Sequence, residues 1–222
     1  MRKTFLAITL FLAFSKAAFA QFGNCTASEM RTYVDSATGN TITMLTDTMK
    51  NDRFLYQTDP MWTADGKYLL FRSSSRGNDK EVESTLPNGE KRKWTPTQIY
   101  FIEMATGKII QATEGPNLGS AFLANKTNRM FVSRKEKENW NMYVMDLNKF
   151  FADVKQGKVG KPSAYETFIG TFPTEMGRPG GYAVDCNDDY AYITVEREGT
   201  EEEKERMMKN AFLPESNQPV KI

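Results

Sequence analysis

A strand-like segment returns after 43 residues, and that period restricts the fold more than any other feature of the sequence. Tyr100-Phe101-Ile102-Glu103-Met104 and Tyr143-Val144-Met145-Asp146-Leu147 both run through alternating apolar positions to an acid. The spacing falls within the roughly 40–45 residues of one four-stranded propeller blade. An earlier copy stands at Tyr33-Val34-Asp35 and is followed by Ala37-Thr38-Gly39, as the later one is followed by Ala105-Thr106-Gly107. Thr38 and Thr106 are 68 residues apart, one period plus 25. The excess corresponds to a polar stretch from about Ser75 to Pro96, rich in Lys, Glu, Gly and Pro, which reads as an insertion in a loop.

A turn followed by a strand recurs as well. Asp65-Gly66-Lys67 precedes Tyr68–Phe71, Thr127-Asn128-Arg129 precedes Met130–Val132, and Asn187-Asp188-Asp189 precedes Tyr190–Val195. Asp-Gly favours a tight turn because glycine takes a positive φ without a steric clash. The Thr-Gly pairs at 38–39 and 106–107 turn the chain into Thr41–Leu45 and Lys108–Ala112. A third, looser unit carries an amphipathic helix or loop over 148–157 and a Pro/Gly-rich passage over 172–181. The charged run Glu201–Lys209 reads as an excursion between blades. Together these predict an all-β fold, a β-propeller of about three blades, in preference to a sandwich of short strands. Propellers usually have 4–8 blades. Three would leave sheet edges open, a route to self-association, so the chain reads as the N-terminal blades of a longer protein or as a truncated product.

The first residues carry a different signal. Met1-Arg2-Lys3 is basic, Phe5–Phe14 is almost wholly apolar, and Ala18-Phe19-Ala20 is a small-x-small cleavage pattern. That is the layout of a secretory signal peptide over residues 1–20, with Gln21 as the new N-terminus. The apolar run is shorter than the roughly 20 residues a spanning helix needs. The expected location is periplasmic or secreted, with no membrane attachment after cleavage. Arg2, Lys3 and Lys16 leave with the signal, which takes 29 basic residues to 26 against 28 acidic ones. A net charge near −2 is not that of a nucleic-acid binder. Cys25 and Cys186, the only cysteines, are candidates for one long-range disulfide in an oxidising compartment.

The blade motifs resemble those of the oligogalacturonate lyase family, within the wider TolB-like repeats. The likeness is carried by Tyr33–Gly39, Ile42, Leu45-Thr46-Asp47, a strand-like Phe54-Leu55-Tyr56 and Trp62–Phe71. It continues through Gln98-Ile99-Tyr100 to Gln111–Gly115. It implies a seven-bladed propeller of which residues 21–222 supply the first blades. It also implies cleavage of short galacturonides by β-elimination, with manganese held by histidines and a glutamine in full-length members. This sequence has no histidine. The family's ligands and base therefore have no counterpart here, no cofactor is expected in this chain, and its catalytic residues are unknown. The expected partner is an oligogalacturonide or another acidic oligosaccharide. Two other readings stay open: a non-catalytic TolB-like propeller that binds carbohydrate or protein, and the propeller of an exported serine peptidase without its hydrolase domain.

Arginine suits uronate carboxylates because its planar fork makes paired hydrogen bonds. The candidates are Arg72 and Arg76 at a strand exit, Arg134 at a comparable exit in the next unit, and Arg178 in the Gly177–Gly181 loop. Trp94, in the insertion, is the candidate for stacking on a sugar ring, whereas Trp62 and Trp140 fall within blade elements and read as packing residues. Ser73–Ser75 lacks a nucleophile-elbow context, and without histidine a serine triad is excluded. Asp59, Asp65, Asp188 and Asp189 read as turn formers.

Overall fold

Wherever the sequence alternates turn and strand, the chain forms small antiparallel sheets. The structure, a computed structural model, describes residues 22–77, 81–85, 89–172, 178–196 and 220–221. The strands are β1 (Cys25–Thr26), β2 (Arg31–Val34), β3 (Thr41–Met44), β4 (Asp52–Arg53), β5 (Tyr68–Ser73), β6 (Val82–Thr85), β7 (Lys91–Trp94) and β8 (Gln98–Glu103). They continue as β9 (Ile109–Gln111), β10 (Leu118–Leu123), β11 (Arg129–Glu136), β12 (Asn139–Asp146), β13 (Glu166–Phe172), β14 (Arg178–Val184), β15 (Tyr190–Glu196) and β16 (Val220–Lys221). An α-helix, α1 (Leu147–Gln156), follows β12, and a short 3-10 turn (Pro162–Ala164) leads into β13. The sheets run β1-β9-β8-β5-β4, β10-β11-β12-β13 and β14-β15-β16, with β2-β3 and β6-β7 as separate hairpins. The fold is all-β, as expected, and built of several small antiparallel sheets. The signal segment and the run Glu201–Lys209 lie outside the described residues.

The repeated acid-x-x-Thr-Gly element is a hairpin turn. The Thr106 hydroxyl donates to Glu103 Oε2 (2.7 Å), and the Gly107 N–H donates to the Glu103 carbonyl (2.7 Å). In the earlier copy the Asp35 carboxylate accepts from the Thr38 hydroxyl, and the Asp35 carbonyl accepts from the Gly39 N–H. Gly107 has φ +70°, and a Cβ there would lie 2.0 Å from Ser28 Oγ, so neither the backbone nor the space admits a side chain.

Both faces of the larger sheets are covered, which explains their nearly unbroken apolar runs. Side chains alternate across a strand. On one face of the first sheet, Tyr68, Leu70 and Phe101 join Met130 and Val132 of the second sheet, together with Phe150 and Phe151 of α1. On its other face, Leu69, Phe71, Tyr100, Ile102 and Ile109 form a second cluster. The second sheet turns Phe122, Phe131 and Met142 towards Ala191 and Tyr182 of the third. The three sheets thus stack face against face in chain order, a propeller-like arrangement. The helix fills the first gap. Asp146 caps its N-terminus by accepting from the Lys149 N–H, and Gly157 (φ +66°) closes its C-terminus. Phe151 stacks on Tyr68 at 3.6 Å between ring centroids.

The turns that repeat in the sequence also link one sheet to the next. The Asp65 N–H donates to Asn128 Oδ1. Asp188, buried at 3% exposure, receives the N–H groups of Asn125, Lys126 and Thr127 and the Thr127 hydroxyl. Burial alone would raise the pKa of that carboxyl, but the donors outweigh it and hold it below the usual range.

Three details differ from the expectations. The strand read at Phe54–Tyr56 sits earlier, at Asp52–Arg53, where the backbone pairs with β5. The insertion read as a loop contains the paired strands β6 and β7. Trp62 is 47% exposed, with its backbone bridged to Leu69. Cys25 and Cys186, the candidates for a disulfide, are both free and exposed.

Candidate functional site

The side of β5 away from its leading turn opens onto a cleft of about 830 Å³. Its walls come from residues around β4, the end of β5, strand β7 of the insertion, and the edge strands β10 and β14. Both edge strands carry a β-bulge there, between Leu118 and Ala121 and between Pro179 and Tyr182. Each bulge is held from beneath by a hydroxyl of the adjacent strand. The Ser120 N–H donates to Ser133 Oγ (2.9 Å), and the Gly181 N–H donates to Thr194 Oγ1 (2.7 Å). A Cβ on Gly119 would stand 2.4 Å from that Ser133 oxygen, so glycine is required for the bulge to seat. Bulges re-aim a strand and gather beside functional sites.

The cleft is cationic. Arg53, Arg72 and Arg92 line it, and among the described residues the single carboxylate in the lining is Asp59, which accepts from the Tyr56 N–H. Arg53 and Arg72 are direct cross-strand partners between β4 and β5. Cross-strand partners share a face. Like charges so placed repel, and among the described residues neither arginine forms an ion pair. Arg72 is the one exposed residue of β5. The Arg53 Nε–H reaches only Asn51 Oδ1, at 3.3 Å. Tyr56 and Trp94, 64% and 36% exposed, add aromatic surface.

The remaining candidates are placed elsewhere. Arg76 is spent on a double ion pair: its Nη1 and Nη2 hold Glu29 (2.9 and 2.6 Å), and its Nε holds Asp52 (2.8 Å). The Arg76 hydrogen bond holds the Glu29 carboxyl below its usual pKa. Arg134 grips Glu166 bidentately (2.8 and 2.7 Å) and lies over the Tyr143 ring. Both forks are occupied, and neither residue lines the cleft. Arg178 belongs to a strand, β14, opposite Glu196, and not to the loop expected for it. The bulge that borders the cleft begins one residue further on.

Arg53 and Arg92 escape the sequence reading. The pairing of Arg53 with Arg72 depends on a register that no local pattern reveals. Arg92 was within reach, because in Lys91-Arg92-Lys93-Trp94 strand alternation puts it on the same face as Trp94.

Three guanidinium groups and one hydrogen-bonded carboxylate do not fit a divalent cation, which takes oxygen or imidazole donors. Among the described residues no group of three His, Cys, Asp or Glu side chains is placed to hold a metal ion. The donors fit an anion instead.

Neither a family model nor a curated protein matches the sequence. Solved structures do match the fold. An oligogalacturonate lyase in complex with manganese superposes with a TM-score of 0.53 at 20% identity, covering 77% of this chain and 37% of that one. The oligogalacturonate lyase from Vibrio parahaemolyticus gives 0.53 and 20%, covering 78% and 38%. At that identity the likeness is one of fold, and the chain spans less than two fifths of either lyase. The class defined by fold and cleft together is an all-β, propeller-like chain, similar to oligogalacturonate lyase, with an arginine-lined cleft.

Proposed function

We propose that this chain is the ligand-binding part of an exported, propeller-like protein of the oligogalacturonate lyase type, and that its cleft holds an acidic oligosaccharide. The observation that carries the reading is the facing pair Arg53 and Arg72, joined by Arg92, with Asp59 the single carboxylate among the described residues of the cleft and that one held by the Tyr56 N–H. Two guanidinium groups on one face repel, and an anion bound between them relieves that repulsion. A uronate carboxylate matches the guanidinium fork, and the C–H faces of a sugar ring match Tyr56 and Trp94. The likeness of fold supports galacturonides as the ligand.

In β-elimination a proton leaves the carbon beside the carboxylate, and a cation at that carboxylate stabilises the developing charge. The arginines of the cleft serve that role. A base is also needed, and the cleft offers no histidine, while its one carboxylate is engaged with the Tyr56 backbone. We therefore assign this chain binding and charge neutralisation, and place proton abstraction outside it.

Calorimetric titration tests the reading. Trigalacturonate binds the mature chain, and a neutral galactotriose of equal length does not. Affinity falls with added salt, and Arg72→Gln weakens it at least tenfold. Equal binding of the neutral sugar, or no binding of either, would turn the reading to a TolB-like propeller or a peptidase propeller.

A further inference from the structure

The insertion has a chemical role that the repeat does not account for. Hairpin β6-β7 forms a two-stranded sheet of its own, separate among the described residues from the larger sheets. Its registers put Val82 opposite Trp94, Ser84 opposite Arg92, and Glu83 opposite Lys93. One face therefore presents Val82, Ser84, Arg92 and Trp94, and the other presents Glu83, Thr85, Lys91 and Lys93. The charges are divided unequally between the faces. Glu83 stands on the second face, where Lys91 Nζ contacts it at 2.8 Å. On the first face Arg92 has only a serine opposite it. That face is the one turned to the cleft, since Arg92 and Trp94 line it. Trp94, beside the smaller Val82, keeps 36% of its surface open.

The cleft thus contains two cationic anchors on separate elements. The Arg53–Arg72 pair is fixed to the five-stranded sheet, and the Arg92–Trp94 pair is carried by the hairpin. Clefts that take drug-sized ligands measure about 300–1,000 Å³, and 830 Å³ lies near the top of that range. There is room for more than one sugar ring. We infer that the insertion hairpin is a specificity arm, with Arg92 taking a second carboxylate and Trp94 packing on the ring that bears it, so that the site selects ligands with two successive acidic sugars over a single one. The inference rests on the reading of the cleft as an acidic-oligosaccharide site. It adds which residues read the second unit.

Titration of the mature chain with galacturonate and with digalacturonate separates the two claims. The expected result is at least tenfold tighter binding of the disaccharide. Arg92→Gln and, independently, Trp94→Ala remove that advantage, bringing the ratio of the two affinities close to one. Arg72→Gln weakens both ligands. Both arm residues are exposed, and unchanged melting temperatures confirm that the variants fold. Equal affinities for the two sugars, or a disaccharide affinity indifferent to both arm substitutions, would overturn the arm while leaving the cleft reading intact. Failure of the unaltered chain to bind either sugar would overturn both.

Discussion

At the scale of single residues, the chain spends its charged groups in two ways. Arg76 and Arg134 are locked to carboxylates, while Arg53, Arg72 and Arg92 face a cleft in which Asp59 is the single acid among the described residues. The acids of the repeated turns are structural. Burial pushes the pKa of Asp65 up, but the Thr63 hydroxyl, the Lys67 N–H and ammonium, and Asn128 overcome that and hold it at about 2. An unfolded aspartate titrates near pH ~3.9. A folded pKa below the unfolded one gives stability that is present above the unfolded value and lost as pH falls through the folded value. Denaturation midpoints should therefore drop as pH falls from about 4 to about 2, and Asp65→Asn should flatten that drop. Asp188 matters more because it is buried with four donors. Asp188→Ala strands the Asn125–Thr127 amides and should cost about 3 kcal/mol in chemical denaturation.

At the scale of elements, the helix and the hairpins divide the work between packing and recognition. Phe150 and Phe151 fill the space between two sheets, and Phe151 both stacks on Tyr68 and meets Phe101 edge-on. Phe151→Ala should cost about 4 kcal/mol, whereas Asp146→Ala, which removes only the helix cap, should cost about 1 kcal/mol. Denaturant titration of the two variants measures the contrast. Most of this layer was legible in the sequence. Turns at Asp65-Gly66, Thr106-Gly107 and Asn187-Asp188 fall where the repeat puts them, and the segment read over 148–157 as an amphipathic helix or loop is the helix α1, because each rests on a local pattern. The cleft was legible only in part. Arg72 stands out at a strand exit and Trp94 in the insertion, but the partner of Arg72 is set by the pairing of β4 with β5, which is non-local. The insertion read as a loop because its strands carry one apolar residue each, Val82 and Trp94, too few to make an alternating pattern.

At the scale of the molecule, the sheets stack in chain order, and the chain corresponds to less than two fifths of the lyases it resembles in fold. The two copies of the Thr-Gly hairpin show what stacking contributes. In β8 and β9, Tyr100, Phe101 and Ile109 are at most 3% exposed. In β2 and β3, Tyr33, Val34 and Ile42 are 48%, 64% and 38% exposed, and no further strand pairs with either edge among the described residues. An unsupported two-stranded hairpin is marginal in water. Amide exchange in β2-β3 should therefore run at least tenfold faster than in β8-β9, and equal protection would contradict the packing described here.

The central claim is that the three arginines that form no ion pair among the described residues, and not the paired ones, meet an acidic oligosaccharide. The side-chain Nε–H resonances of arginine report this directly. On titration of the mature chain with trigalacturonate, the signals of Arg53, Arg72 and Arg92 should shift together and saturably, while those of Arg76 and Arg134 stay in place. Shifts confined to Arg76 and Arg134, or no shift in any of the five, would contradict the account.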